Sequence, residues 1–309
     1  MIKRLLCVLF AFSLFGCSSE PAKEEPKETA APAPKPAAAE LWAVTEGIQT
    51  PESAYVDPAS GDVYASSIEG MPGEKDGKGH ISKISADGKT VNAMWVTGLN
   101  APKGLRSYEG TLWVTDIDEI VGIDMATAKV KSKTKVPGAQ FLNDTAVGSD
   151  GTVYVTDMMG NKIIALKGGK TSVIAEGEEL LEYPNGLLVE GDSLVVGGWG
   201  KPESPTAFTT KVPGHLFKVD LKTKKKTLIT PEPTANIDGL ESDGKGGYIA
   251  TDYLAGKVLH ITADGKVTTL TTFMPSTADI AFIPAENRLI VPHMNENKIV
   301  AYDISGALQ

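Results

Sequence analysis

EYPNGLLVEGDSLVVGG, residues 182–198, sets two apolar runs on either side of the acidic, glycine-containing turn EGD. Runs of this length and spacing form a pair of antiparallel strands. Asn185 and Gly186 stand where the first strand opens. The asparagine either serves the turn alone or presents its amide oxygen to something. Which of the two holds depends on what occupies the same place elsewhere in the chain.

The same unit recurs six times. Its openers are PESAYVD from 51, APKGLRS from 101, LNDTAVG from 142, YPNGLLV from 183, NIDGLES from 236 and TADIAFI from 277. Each leads into a second apolar segment: DVYASS, TLWVTD, TVYVTD, SLVVGG, GYIATD or RLIVPH. A third alternating segment follows, as in HISKIS, KIIALK or KIVAYD, and a short polar fourth is visible in KTSVIA and KVTTLT. With Lys103, Asp144, Asn185, Asp238 and Asp279 taken as equivalent, the steps are 41, 41, 53 and 41 residues. Four short strands per unit, six times over and without helix-length amphipathic segments, predict an all-β, six-bladed β-propeller. The last unit ends without a fourth strand, and LWAVTEG at 41–47 precedes the first unit. This N-terminal strand is expected to complete the last blade and close the ring, leaving no long open edge.

The longer steps come from EGMPGEKDGKG at 69–79 and WGKPESPTAFTTKVPG at 199–214. Both fall between second and third strands, on the face where the innermost strands begin. They belong to the first and fourth blades, which stand opposite each other, and are expected to form two walls of a pocket at the channel mouth. The openers ring that mouth with Glu52, Lys103, Asp144, Asn185, Asp238 and Asp279, with Asn143 adjacent. Four carboxylates and one carboxamide repel or strand one another unless a counter-charge is present. Lys103 supplies one positive charge, and a hard divalent cation, which takes carboxylate and carbonyl oxygens, supplies more. The aspartates that end VTD, VTD and ATD (Asp116, Asp157 and Asp252) are read as caps of the loops that follow.

At these openers the chain resembles the calcium-dependent gluconolactonase family, which includes regucalcin and luciferin-regenerating enzymes. The resemblance spans roughly 41–305 and rests on Glu52 in PESAY, Asn185 in YPNGL, Asp238 in NIDGL and Asn143 in FLND. It implies a calcium or other divalent-cation cofactor held by Glu52, Asn143, Asn185 and Asp238, with Asp238 also moving the proton of an activated water. Two departures accompany it. Phe141 stands where sugar-lactone hydrolases carry an arginine that grips the polyol, and ESA replaces the more usual EGP. Lys103, Phe141, Asp144 and Asp279 are the candidate substrate-binding residues. Lys103 either neutralises the ring or meets the ligand, and with Phe141 it favours a small molecule with an apolar body and an acidic or carbonyl end.

Ahead of the repeats, residues 1–16 begin with Lys3 and Arg4 and continue as an apolar run, the layout of a signal peptide. LFGC looks like a bacterial lipobox, with Cys17 as the lipidated residue, although Phe15 is bulkier than the small residue preferred there. Residues 17–40 are rich in Pro, Ala, Glu and Lys and are expected to be a disordered tether, leaving 41–309 as the propeller. Losing Lys3 and Arg4 takes the net charge from −9 to −11, which argues against nucleic acid as a partner. Both cysteines, Cys7 and Cys17, lie in this N-terminal region, and the four histidines lack paired zinc-ligand spacing.

The expectation is therefore an envelope protein held to a membrane by its N-terminal lipid. It would face the periplasm from the outer membrane in a two-membrane cell, and otherwise stand on the outer face. Its predicted function is divalent-cation-dependent hydrolysis of a lactone or related ester at the channel mouth. The alternative is a non-catalytic propeller that binds a ligand or an envelope protein.

Overall fold

The computed structural model describes residues 38–204 and 207–308. The signal segment, Cys17 and the tether up to residue 37 lie outside the described residues. Six four-stranded antiparallel sheets make up the fold, which is a six-bladed β-propeller. Five blades are built from consecutive strands, the first, for example, from Pro51–Val56, Val63–Ser67, Gly79–Ile84 and Val91–Leu99. The sixth is ordered Ala39–Val44, Lys298–Asp303, Arg288–His293, Ala281–Ile283, so the N-terminal strand does supply its outer edge. That strand starts at Ala39 rather than 41, which places Ala39 and Glu40 in the sheet and not in the tether. Ala39 pairs with Asp303 and Val44 with Ile299. The one α-helix among the described residues, Glu178–Leu181, has four residues, and no helix there is long and apolar enough to cross a membrane.

Burial explains the apolar patterning of each repeat. Second and third strands lie between neighbouring sheets and are covered on both faces, so Val63–Ser67 is buried throughout. Outer strands touch a neighbour through one edge only, and Lys129–Lys135 (KVKSKTK) is accordingly polar and largely exposed. Separate cores fill the six blade interfaces. Blades six and one share Val44, Ile48, Val63, Ile84, Ile290 and Ile299, with Trp42 packed against them. Trp42 also donates from Nε1 to the Ala86 carbonyl at 3.1 Å, fastening the closing strand to the first blade.

A second cluster holds the last blade to the fifth. His293 meets the Tyr302 hydroxyl at 3.0 Å through Nε2, and Phe273 stacks on Tyr302 with centroids 4.7 Å apart. Burial, helped by the Lys298 charge and opposed by Glu296, pushes the His293 imidazole down to about 4.

Two outcomes follow from this closure. Trp42→Ala removes a partly buried ring and its hydrogen bond, so stability should fall by about 2 kcal/mol and Tm by roughly 4–8 °C; thermal unfolding checks this. His293 is neutral in the fold and titrates near 6.5 when unfolded, so the stability it protects is present above that pH. It is lost as pH falls towards about 4. Denaturant titrations between pH 7 and 4 should show wild type losing stability relative to His293→Gln across that window.

Candidate functional site

Five of the six innermost strands are irregular at their start. Pairing with the second strand skips from Pro102 to Leu105, from Leu142 to Thr145, from Pro184 to Leu187 and from Ile237 to Leu240, with a shorter skip from Pro51 to Ser53. The skipped residues are the Asn-Gly, Asp-Gly, Lys-Gly and Asn-Asp dipeptides of the openers. Such a bulge frees one residue to aim its side chain away from the sheet. The freed backbone groups are recovered by hydroxyls of the second strand. Thr156 Oγ1 accepts from Asp144 N at 2.9 Å and donates to the Asn185 carbonyl of the next blade at 3.0 Å. Thr251 does the same for Gly239 N and the Ala278 carbonyl.

The glycines of these dipeptides allow neighbouring innermost strands to touch. A Cβ on Gly186 would lie 2.5 Å from the Asp238 carbonyl oxygen, and one on Gly104 would lie 2.6 Å from Asp144 Cα. This approach brings Asn185 Nδ2 to 3.0 Å from Asp238 Oδ1. The glycine therefore serves the backbone, and Asn185 itself faces the channel mouth.

Strand pairing also corrects the ring. The residues paired to the ends of the second strands are Pro51, Pro102, Leu142, Pro184, Ile237 and Thr277. The residue after each is the true ring position: Glu52, Lys103, Asn143, Asn185, Asp238 and Ala278. Asp144 and Asp279 stand one residue later, on the side occupied elsewhere by Ser53, Gly104, Gly186 and Gly239. A one-residue shift in a strand reverses the side-chain direction, so these two predicted substrate contacts do not line the mouth. Asp144 instead accepts from Thr145 N and Leu187 N, both at 2.6 Å. Asp279 Oδ2 accepts from Ser53 Oγ and lies 4.0 Å from Arg106 Nη1. Arg106 also donates to Glu241 at 3.1 Å. Burial pushes the Asp144 carboxyl up, with Asp279 adding to it and Arg106 opposing. Burial likewise pushes Glu241 up to about 7 against the pull of Arg106.

Glu52, Lys103, Phe141, Asn143, Asn185 and Asp238 do converge, on one cavity of about 610 Å³ including its open mouth. Both insertions wall it, through Gly70 and Pro72 on one side and Trp199 and Phe208 on the other. Lys103 is 1 % exposed, and its ammonium is taken up by the carbonyls of Ala101 at 2.9 Å and Pro72 at 3.1 Å. It sits 4.5 Å from the Phe141 ring centroid. Burial brings this lysine down to about 8, against the pull of the Glu52 and Asp116 charges. Its first role is thus to pin the 69–79 insertion to the second blade.

The structure adds a collar that sequence reasoning missed. The residue just after each second strand is Ile68, Ile117, Met158, Trp199, Tyr253 or Met294. All but Ile117 line the cavity. The signal was present one residue beyond each VTD-like motif, as an apolar side chain that recurs in phase. The aspartates of those motifs act as caps, but two of them hold the loop that enters the innermost strand. Asp116 accepts from Asn100 N and Ala101 N, and Asp157 accepts from Gln140 N and Phe141 N. Asp157 and Asp252 also cap the following loop, through Gly160 N and Ala255 N.

At the cavity floor, Glu52 Oε2 and Asn185 Oδ1 are buried without a hydrogen-bond partner. Leaving such atoms unsatisfied costs about 1–3 kcal/mol each. Burial pushes Glu52 well above the ordinary carboxylate range, with the Asp238 charge adding to it. Asp238 is raised by burial and by Asp279, against its bond from Asn185. Orphaned hard oxygens beside two destabilised carboxylates fit a hard divalent cation, with Glu52, Asn143, Asn185 and Asp238 as the donors. Two of those donors are amides, and among the described residues no group of three or more His, Cys, Asp or Glu has metal-holding geometry.

The model of the SMP-30/gluconolactonase/LRE-like region matches residues 50–295. The chain belongs to that family. The SMP-30/gluconolactonase/LRE-like chain also resembles a gluconolactonase structure from Xanthomonas campestris, with 15% identity over 86% of this chain and 88% of that one, at a TM-score of 0.62. A catalytically inactive virginiamycin B lyase from Staphylococcus aureus, solved with quinupristin, is 16% identical over 86% and 98% of the two chains, with a TM-score of 0.57. At these identities the likeness is one of fold. No curated protein matches.

Arg106 is the buried counter-ion of the tier beneath the floor. Arg106→Met should cost about 3 kcal/mol in urea unfolding, because it leaves the buried Asp279 and the half-buried Glu241 without their cation. Adding Glu241→Gln to that variant should recover part of the loss.

Proposed function

We propose that this family member is a divalent-cation-dependent hydrolase of a lactone or related ester, acting at the channel mouth. The observation that carries the reading is the pair of buried, unpartnered oxygens of Glu52 and Asn185 beside Asp238, at the base of a concave apolar collar. A cation held by Glu52, Asn143, Asn185 and Asp238 supplies Lewis acidity, which polarises a carbonyl and acidifies water. Asp238 is the proton acceptor. Asn185 Nδ2 takes one lone pair of its Oδ1 at 3.0 Å, leaving the remaining lone pairs of the carboxylate for the cation and for the water's proton. The burial that raises Asp238 also makes it a stronger base once ionised. The collar of Met158, Trp199, Tyr253 and Met294 keeps bulk water from the reacting carbonyl. The signal-like leader and Cys17 support lipid anchoring in the bacterial envelope, which signal-peptide processing and acyl labelling of Cys17 test directly.

The test of the reaction is hydrolysis of aliphatic and sugar lactones by calcium-loaded protein, repeated after chelation. Turnover that chelation abolishes is expected, and a loaded protein inert towards the whole panel overturns the enzyme reading. Asp238→Asn should lower kcat by about 10²–10⁴-fold. In calorimetry the same change should weaken calcium binding by tenfold or more, since one ligand charge is lost. Asp220→Asn, in an exposed turn between the outer strands of the fourth blade, should leave calcium affinity within twofold of wild type.

A further inference from the structure

The cavity has a chemical asymmetry that the reaction does not explain. Its carboxylates and carboxamides are confined to the floor, while its wall from the third to the fifth blade is a continuous arc of rings. Phe141 meets Phe208 at 5.8 Å between centroids, Phe208 meets Trp199 at 6.3 Å, and Trp199 meets Tyr253 at 5.5 Å. The far side is closed by Ile68, Pro72 and Met294. The arc is held in place by polar bonds behind it. Trp199 Nε1 donates to the Phe208 carbonyl at 2.9 Å, and Asn236 Nδ2 donates to the Trp199 carbonyl at 2.7 Å. Tyr253 turns its hydroxyl to Met294 Sδ at 3.2 Å. Lys103, the one cation on the wall among the described residues, is already engaged by two carbonyls and the Phe141 ring. A polyol seated here would lose its water against ring faces and gain few hydrogen bonds in return.

We propose that the substrate is a lactone or ester fused to, or carrying, a planar aryl body that stacks along the Phe141–Phe208–Trp199–Tyr253 arc. This rests on the hydrolase reading above for its chemistry, and on the arc for its specificity. The acyl carbonyl then lies at the oxygen floor and the aryl group along the wall. In the reaction the oxygen of water bonds to the acyl carbon and the acyl C–O bond of the ring breaks. One water proton passes through Asp238 to the leaving phenolic or alkoxide oxygen, and the acyl group leaves as a carboxylate with its proton released to solvent. No oxidant or reductant is needed. Stacked or edge-to-face rings gain stability beyond the area they bury, so the aryl group adds to the selectivity a bare ring cannot reach.

Three six-membered lactones separate the classes: dihydrocoumarin, δ-valerolactone and glucono-δ-lactone. With calcium present, kcat/KM for dihydrocoumarin should exceed that for each of the others by at least tenfold. Trp199→Leu and Phe208→Ala should each shrink this ratio at least fivefold. Binding is measured independently of turnover with the corresponding lactam, 3,4-dihydroquinolin-2-one, which resists hydrolysis. Calorimetry should show each variant weakening the lactam by fivefold or more, while circular dichroism reports that the variants fold. Phe208 lies on the insertion rather than within a strand, which gives a second variant if Trp199→Leu fails to fold. Preference for glucono-δ-lactone, no measurable lactam binding to wild type, or lactam affinity equal in wild type and both variants overturns the proposal. Lactam binding that depends on the arc, without turnover of any lactone, sustains the aryl pocket and overturns the hydrolase reading alone.

Discussion

Around the channel axis, neighbouring innermost strands approach more closely than side chains permit, and glycine is what admits that approach. At Gly186 and Gly104 an added Cβ would strike the backbone of the next blade. Once the strands are this close, their pairing with the second strands must break for two residues, and the hydroxyls of Thr156 and Thr251 take up the freed groups. The residue released by each bulge then points to the axis. Backbone contact, bulge and inward side chain form one unit, which is why Asn185 and Asp238 meet although 53 residues separate them.

The same unit explains what could and could not be read from the chain. Blade number, ring closure and the two walls follow from apolar periodicity and from where the repeat is stretched, because burial on both faces forces that pattern. Register inside an opener does not follow, since Asn143 and Asp144 are adjacent and both plausible as ring members. Taking Asp144 and Asp279 as equivalent to Asn185 moved two carboxylates to the wrong side of their strands. The pairing of Leu142 with Asp157 and of Thr277 with His293 decides the matter, and it is a long-range fact. The collar escaped for another reason. Its members include isoleucine, methionine, tryptophan and tyrosine, which share neither shape nor a motif, only position and apolarity.

The two layers of charge at the axis differ in how they are balanced. In the lower one Arg106 sits among Asp279, Glu241 and Asp144, and backbone amides take up the Asp144 carboxylate. Asp279 Oδ1 is without a partner there, but its other oxygen is held by Ser53. In the upper layer the lysine has turned aside to carbonyls, and Glu52 and Asn185 keep unpartnered oxygens. A protein that neutralises one layer internally and leaves the next open has kept its structural charges apart from those available to a ligand.

The strand Ala39–Val44 gives the fold a mechanical character as well. It is the first strand among the described residues, and it is hydrogen-bonded along one edge only, to Lys298–Asp303. A pull transmitted through the residues before Ala39 therefore loads the outer rim of one blade. Between that rim and the axis stand three further strands, joined by two more hydrogen-bond ladders. Tension would be spent in stripping or shearing the outermost ladder before any innermost strand moved, so the fold carries its handle as far from its working surface as the sheet allows.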